Sequence, residues 1–259
     1  MHLHIPILGD LHGDMEPLAW LSKHAEPELI LQVGDFGYFP GLIEERLRGR
    51  NVTPGGRRVP VHWCAGNHEC WPLLAGLTQP TEVAPGVIYQ PSGSTLTLPD
   101  GRGVLFLGGA KSVDWPLRTE GFSVWRDLEV PEIDLAALPE RVDVVVSHTL
   151  PQSIAMMVVD RTKGTMDLLE ARGWDMSPDP MEKALEGVLE RCKPSLWLAG
   201  HFHRFVQGVN SEGCQWTALG AVAWWQPALI WLDWLEPYDP DYVAAVMVAL
   251  RREAIDGWR

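Results

Sequence analysis

The stretch LHIPILGDLHG, residues 3–13, sets the pattern for the whole chain: a short apolar run stops at Gly9-Asp10, and His12 follows two positions later. The pattern returns four times. LILQV precedes Gly34-Asp35, VPVHWCA precedes Gly66-Asn67, VDVVV precedes Ser147-His148, and SLWLA precedes Gly200-His201. Runs this apolar read as strands buried on both faces. The segments 14–24, 41–48, 69–77 and 182–192 between them have helix-like composition, so the chain is of the α/β class. In open α/β sheets ligands bind beyond the carboxyl ends of the strands, so polar residues placed just after five strands can converge on one rim.

The remaining segments are less regular. Residues 87–90, 94–98 and 103–109 read as shorter strands, and the Pro-Ser-Gly and Pro-Asp-Gly clusters between them predict turns joining antiparallel neighbours in a second sheet. Between Asp160 and Pro180 the periodicity fades, which predicts an insertion able to lie over the site. Trp216, Trp224, Trp225, Trp231, Trp234 and Trp258 crowd the C-terminal region, where burial between a terminal strand and a helix around 240–253 is expected. A single domain over 1–259 accommodates all of this.

A net charge of -13 argues against a general binder of long duplex nucleic acid, which needs clustered Lys and Arg. Bound divalent metal would locally reverse that field, so an anionic substrate is still admissible. Arg46, Arg48, Arg50, Arg57 and Arg58 form a basic stretch that reads either as a solvated loop or as a guide for a polyanion. Cys64, Cys70, Cys192 and Cys214 form no CxxC pair and are too sparse for a disulfide framework. Without a signal-peptide pattern or a membrane-length apolar run, a cytoplasmic location away from membranes is expected.

Five of the nine histidines, His12, His68, His148, His201 and His203, lie at strand ends with Asp10, Asp35 and Asn67. Imidazole and carboxylate together suit borderline divalent ions such as Mn, Fe or Zn, whereas an all-oxygen set favours Mg or Ca. Residues two apart share a face if locally extended, so Asp10 with His12, or His201 with His203, could both face the site.

GDLHG at 9–13, GD at 34–35, GNHE at 66–69, SHTLP at 147–151 and GHFH at 200–203, taken together and in order, resemble the calcineurin-like metallophosphoesterase superfamily. That resemblance implies a layered α/β sandwich: two mixed sheets flanked by helices, with a dinuclear metal site at the strand ends. It implies that Asp10, His12 and His203 hold one ion and Asn67, His148 and His201 the other, with Asp35 bridging. Manganese is the foremost candidate, with Fe, Zn, Ni or Co as alternatives. Two ions ~3.5–4 Å apart can generate a bridging hydroxide and polarise a phosphoryl group. The resemblance gives His68 the role of assisting the leaving group and Asn67 a substrate contact beside its ion.

The sequence also departs from the family's Ser/Thr protein phosphatases. GDFGYF and AGNHE stand where those have Asp-Arg-Gly and an Arg before the Asn, which removes phosphate-binding arginines and the Asp that orients the catalytic His. Asp14 is a candidate to replace that Asp, or else a helix cap. GGAKSVDWPLR at 108–118 resembles a segment of bacterial and phage-type members, which makes Arg118 the candidate contact for substrate phosphate. The expected activity is hydrolysis of phosphomonoesters or phosphodiesters of small or nucleotide-type substrates. A nuclease acting on short or single-stranded ends, a protein phosphatase and an inactive metal-binding scaffold are the competing readings.

Overall fold

A computed structural model of the chain describes residues 5–232 apart from 40, 160, 162 and 223–227. Trp224, Trp225, Trp234, Trp258 and the expected helix around 240–253 lie outside the described residues.

Twelve strands form two six-stranded mixed sheets. The first holds β1 (Pro6–Leu8), β2 (Ile30–Gln32), β3 (Val61–Trp63), β4 (Thr81–Ala84), β5 (Val87–Tyr89) and β12 (Leu229–Trp231), in the order β12-β1-β2-β3-β5-β4. The second holds β6 (Thr95–Thr97), β7 (Gly103–Leu107), β8 (Val144–Ser147), β9 (Leu196–Ala199), β10 (Val206–Val209) and β11 (Gln215–Ala218), in the order β10-β11-β9-β8-β7-β6. Each sheet has a parallel centre and antiparallel edges. All five apolar runs became central strands, with β1, β2, β8 and β9 buried throughout, as runs without alternation require.

Three apolar layers hold the molecule together. Ile7, Leu31, Val33, Phe106, Val146 and Leu198 lie between the sheets. Helices α1 (Glu16–His24), α2 (Leu42–Leu47) and α3 (Trp71–Leu74) cover the outside of the first sheet around Trp63, which Phe36 stacks upon at 4.9 Å. Helices α4 (Gln152–Val158) and α6 (Pro180–Cys192) cover the second sheet around Trp197 and Leu185. Trp216 and Trp231 are buried, as expected for the C-terminal tryptophans within the described region.

The sequence sets the ends of α6 clearly. Asp179 caps it by accepting from the Met181 N–H at 2.8 Å, Pro180 occupies the first turn, and Arg191 sits in the last turn. The expected Pro91-Ser92-Gly93 hairpin is not one. Gln90 N–H donates to Trp63 O within the first sheet, whereas Gly93 N–H donates to Phe106 O in the second. The chain changes sheets there, so β5 and β6 are not partners, and of the two clusters only Pro99-Asp100-Gly101 joins an antiparallel pair, β6 with β7. The 160–180 segment contains α5 (Lys163–Glu170), and its tail is fastened to residues 111–115. Asp175 N–H donates to Val113 O at 2.7 Å and Trp115 Nε1 donates to Asp175 Oδ2 at 2.8 Å.

Candidate metal centre

The two sheets bring their carboxyl ends to one rim, and the side chains singled out in the sequence meet there. Asp10, His12, Asp35 and His203 offer ligand atoms that all lie within 4.8 Å of one another. His12 Nε2 is 3.0 Å from His203 Nε2 and 3.7 Å from Asp35 Oδ2, and His203 Nε2 is 3.2 Å from Asp10 Oδ2. Beside them Asn67 Oδ1 is 3.0 Å from His148 Nε2 and 3.1 Å from His201 Nδ1, and His148 Nε2 is 3.4 Å from Asp35 Oδ1. One carboxylate oxygen of Asp35 therefore faces each group.

Strand alternation does not aim these residues. His12, Asp35, His201 and His203 have φ of 47°, 52°, 69° and 51°, left-handed values rare outside glycine. The expectation of locally extended Asp10–His12 and His201–His203 pairs is thus corrected: β1, β2 and β9 are each followed by a tight turn that folds these side chains back over the rim. Phe202 N–H donates to Gly200 O across His201, a three-residue turn. Backbone strain of this kind persists where surrounding contacts over-determine it. His12 N–H and Leu11 N–H both donate to Asp35 O, at 2.7 and 3.0 Å, and His201 N–H donates to the Asp10 carboxylate. Two glycines make the approach possible: a Cβ at Gly200 would strike Asp10 Oδ1, and one at Gly66 would strike Asp35 Oδ1.

The donors suit a divalent cation. His148 donates from Nδ1 to Val33 O at 3.0 Å, which leaves Nε2 with its lone pair towards Asn67 and Asp35. Burial would raise the Asp35 pKa, but the combined pull of His148, His68 and His12, with the His68 N–H bond at 2.8 Å, holds it well below the usual carboxylate range. Burial, with His148 beside it, pushes His201 well below the usual histidine value. At His203 burial acts to lower the pKa, but the hydrogen bond and charge of Asp10 raise it, so a metal, which needs unprotonated imidazole, displaces protons as it binds.

His68 stands outside this donor set, its ring edge-on to His12 with centroids 5.1 Å apart. Burial lowers its pKa, with the Arg118 charge adding to the shift against Asp35. Asp14 is exposed and accepts from Glu16 N–H at 3.0 Å, one residue ahead of Met15, the N-cap position of α1. Arg118 Nη1 donates to Ser112 Oγ at 2.9 Å. In the basic stretch, Arg46 donates to Gly13 O, Arg50 pairs with Glu16, Arg57 donates to Glu26 O and Pro27 O, and Arg58 donates to Pro85 O. Four of those five arginines thus tie loops together.

A family model for the calcineurin-like phosphoesterases matches residues 3–205, which span both donor groups. The chain belongs to the calcineurin-like phosphoesterases. Members are hydrolases of phosphate esters that work with bound metal. This calcineurin-like phosphoesterase chain is 23% identical over 231 residues to the lariat debranching enzyme of Schizosaccharomyces pombe, covering 78% of this chain and 48% of that protein. The chain thus spans about half the length of that curated relative. Among solved structures it is similar to a phosphopantetheinyl hydrolase from Mycobacterium tuberculosis, with a TM-score of 0.49, 15% identity and coverage of 85% and 90% of the two chains. It is also similar to a hypothetical protein from Thermus thermophilus, with a TM-score of 0.38, 14% identity and coverage of 85% and 77%.

Three parts of the rim escape a reading of the sequence. Glu69, the last residue of GNHE, accepts from Phe36 N–H at 2.7 Å and from Tyr38 N–H, and so shapes the loop after Asp35. The Val33 carbonyl that orients His148 carries no residue-type signal at all. Ser112 and Glu129 form a buried pair behind Asn67, and of the two only Ser112 lies in a quoted motif.

Proposed function

We propose that this chain hydrolyses phosphomonoesters or phosphodiesters of small or nucleotide-type substrates at a dinuclear centre, with manganese as the foremost metal. The observation that carries the reading is the division of Asp35, whose Oδ2 faces His12 while Oδ1 faces His148. Asp10, His12 and His203 would hold one ion and Asn67, His148 and His201 the other, with Asp35 serving both. When bound, the ions supply Lewis acidity and a water made nucleophilic near neutral pH.

The remaining steps belong to side chains. His68, next to the donors but not among them, gives a proton to the leaving oxygen as it departs. Both bonds of Arg118 use Nη1, to Ser112 and Asp114, so its Nη2 and Nε donors are the ones left to bind phosphoryl oxygens. The four unpaired cysteines agree with a reducing, cytoplasmic setting. Among the described residues no helix is long and apolar enough to cross a membrane. With an acidic chain and most of its basic stretch engaged in loop contacts, long duplex nucleic acid is not the expected substrate.

The test is hydrolysis of a chromogenic phosphomonoester and a chromogenic phosphodiester by metal-free protein resupplied with Mn. Mn-dependent turnover of at least one, abolished in Asp35→Asn, is expected. No metal-dependent turnover of either would overturn the reading.

A further inference from the structure

Behind the donors, Asn67 Nδ2 reaches Ser112 Oγ at 3.1 Å, and that hydroxyl has two further partners, Arg118 Nη1 at 2.9 Å and Glu129 Oε2 at 2.8 Å. Ser112, Glu129 and Asn67 are all buried. A hydroxyl has one proton and two lone pairs, so three partners saturate it. Guanidinium can only donate, and takes one lone pair. Burial raises the Glu129 pKa, but the Ser112 bonds and the Arg118 charge favour its ionised form, which can only accept: Oε1 receives Ser112 N–H at 2.7 Å and Oε2 takes the hydroxyl proton. The one remaining lone pair faces Asn67 and admits only a donor. The amide must therefore turn its NH2 to Ser112 and its oxygen to His148 and His201. Oxygen is the end of an amide that binds a metal.

We infer that Glu129 is a positioning residue: through the Ser112 hydroxyl it fixes which end of the Asn67 amide faces the second metal position, and the same hydroxyl anchors Arg118. Glu129 lies in no helix or strand. Its place is set by Ala110 N–H, which donates to its backbone carbonyl at 3.0 Å, so residues 110–112 and 129 close as a clamp behind the rim. Glu129→Gln reverses the logic. Gln must keep its oxygen on Ser112 N–H, so its NH2 meets the hydroxyl as a third donor and drives the hydroxyl proton towards Asn67.

The inference rests on the dinuclear reading, and Mn titration by calorimetry, with metal content measured after dialysis, separates the two. Wild type should bind two ions per chain. Glu129→Gln should keep the ion at Asp10, His12, Asp35 and His203 while the second weakens by about 10–100-fold, as loss of an orienting partner typically does. Asn67→Asp has no amide to turn, so adding Glu129→Gln to it should change second-site affinity by no more than about twofold, the non-additivity that marks coupled residues. A merely structural glutamate would lower thermal stability without sparing one ion and without this non-additivity. If Glu129→Gln does not fold, Ser112→Ala should lose the second ion and Ser112→Thr should keep it. Two ions bound with wild-type affinity in folded Glu129→Gln, or in Ser112→Ala, would overturn the inference and leave the functional reading standing. Fewer than two ions in wild type would overturn both.

Discussion

At the scale of single residues, the rim depends on contacts too close for substitution. A Cβ at position 200 would meet Asp10 Oδ1 and would also lie 3.0 Å from the Val33 side chain, so Gly200→Ala must displace a buried carboxylate. We expect Gly200→Ala to lose about 1–3 kcal/mol of stability, read by urea unfolding, and to bind Mn weakly even where it folds. His68→Ala should behave oppositely: turnover falls by about 10²–10⁴-fold while metal content is unchanged, because its ring is not among the donors. The identities of these residues were legible in the sequence, since five apolar runs ending in ligand-type residues left few other meanings. Their backbone geometry was not. The left-handed φ of His12, Asp35, His201 and His203 comes from the turn each strand must make, and no propensity predicts four such values outside glycine. The clamp behind Asn67 was equally hidden, because Glu129 pairs with Ser112 across 17 residues without any motif of its own.

At the scale of elements, α6 offers two contrasting ends. Asp179 caps its start and also accepts Lys111 N–H at 3.1 Å, so Asp179→Ala removes a cap and loosens the loop that carries Ser112. A loss of about 1–2 kcal/mol is expected by thermal or chemical unfolding, with reduced turnover alongside. At its other end Lys193 holds φ of 44° where glycine is usual. Unlike the strained residues at the rim, Lys193 belongs to neither donor group, so Lys193→Gly should gain about 0.5–1 kcal/mol and leave activity untouched. Helices 14–24, 41–48 and 182–192 were readable from their composition, whereas 69–77 shortened to Trp71–Leu74. The turn at Pro91-Ser92-Gly93 departs from expectation because turn chemistry marks a change of direction without saying which sheet receives the next strand.

At the scale of the whole molecule, stability should depend on pH through a histidine that is not among the donors. His62 in β3 is partly buried, and burial lowers its pKa to about 4 from an ordinary 6.5. It is neutral in the folded protein over a range in which the unfolded chain binds a proton. Its contribution is therefore present in full above pH 6.5 and is lost as pH falls towards 4, an effect of up to about 3 kcal/mol. His62→Gln, which can keep a bond to Gln90, should flatten that acid limb in unfolding curves measured across pH 4–7.

The rim draws Asp10, His12, Asp35 and Asn67 from one sheet and His148, His201 and His203 from the other. His12 and His203 touch across 191 positions of sequence. No nascent chain can assemble that pair until its second half has left the ribosome and docked on the first. Closure of the rim is therefore a late event in folding, and a polypeptide stalled before residue 148 would carry only part of each donor group.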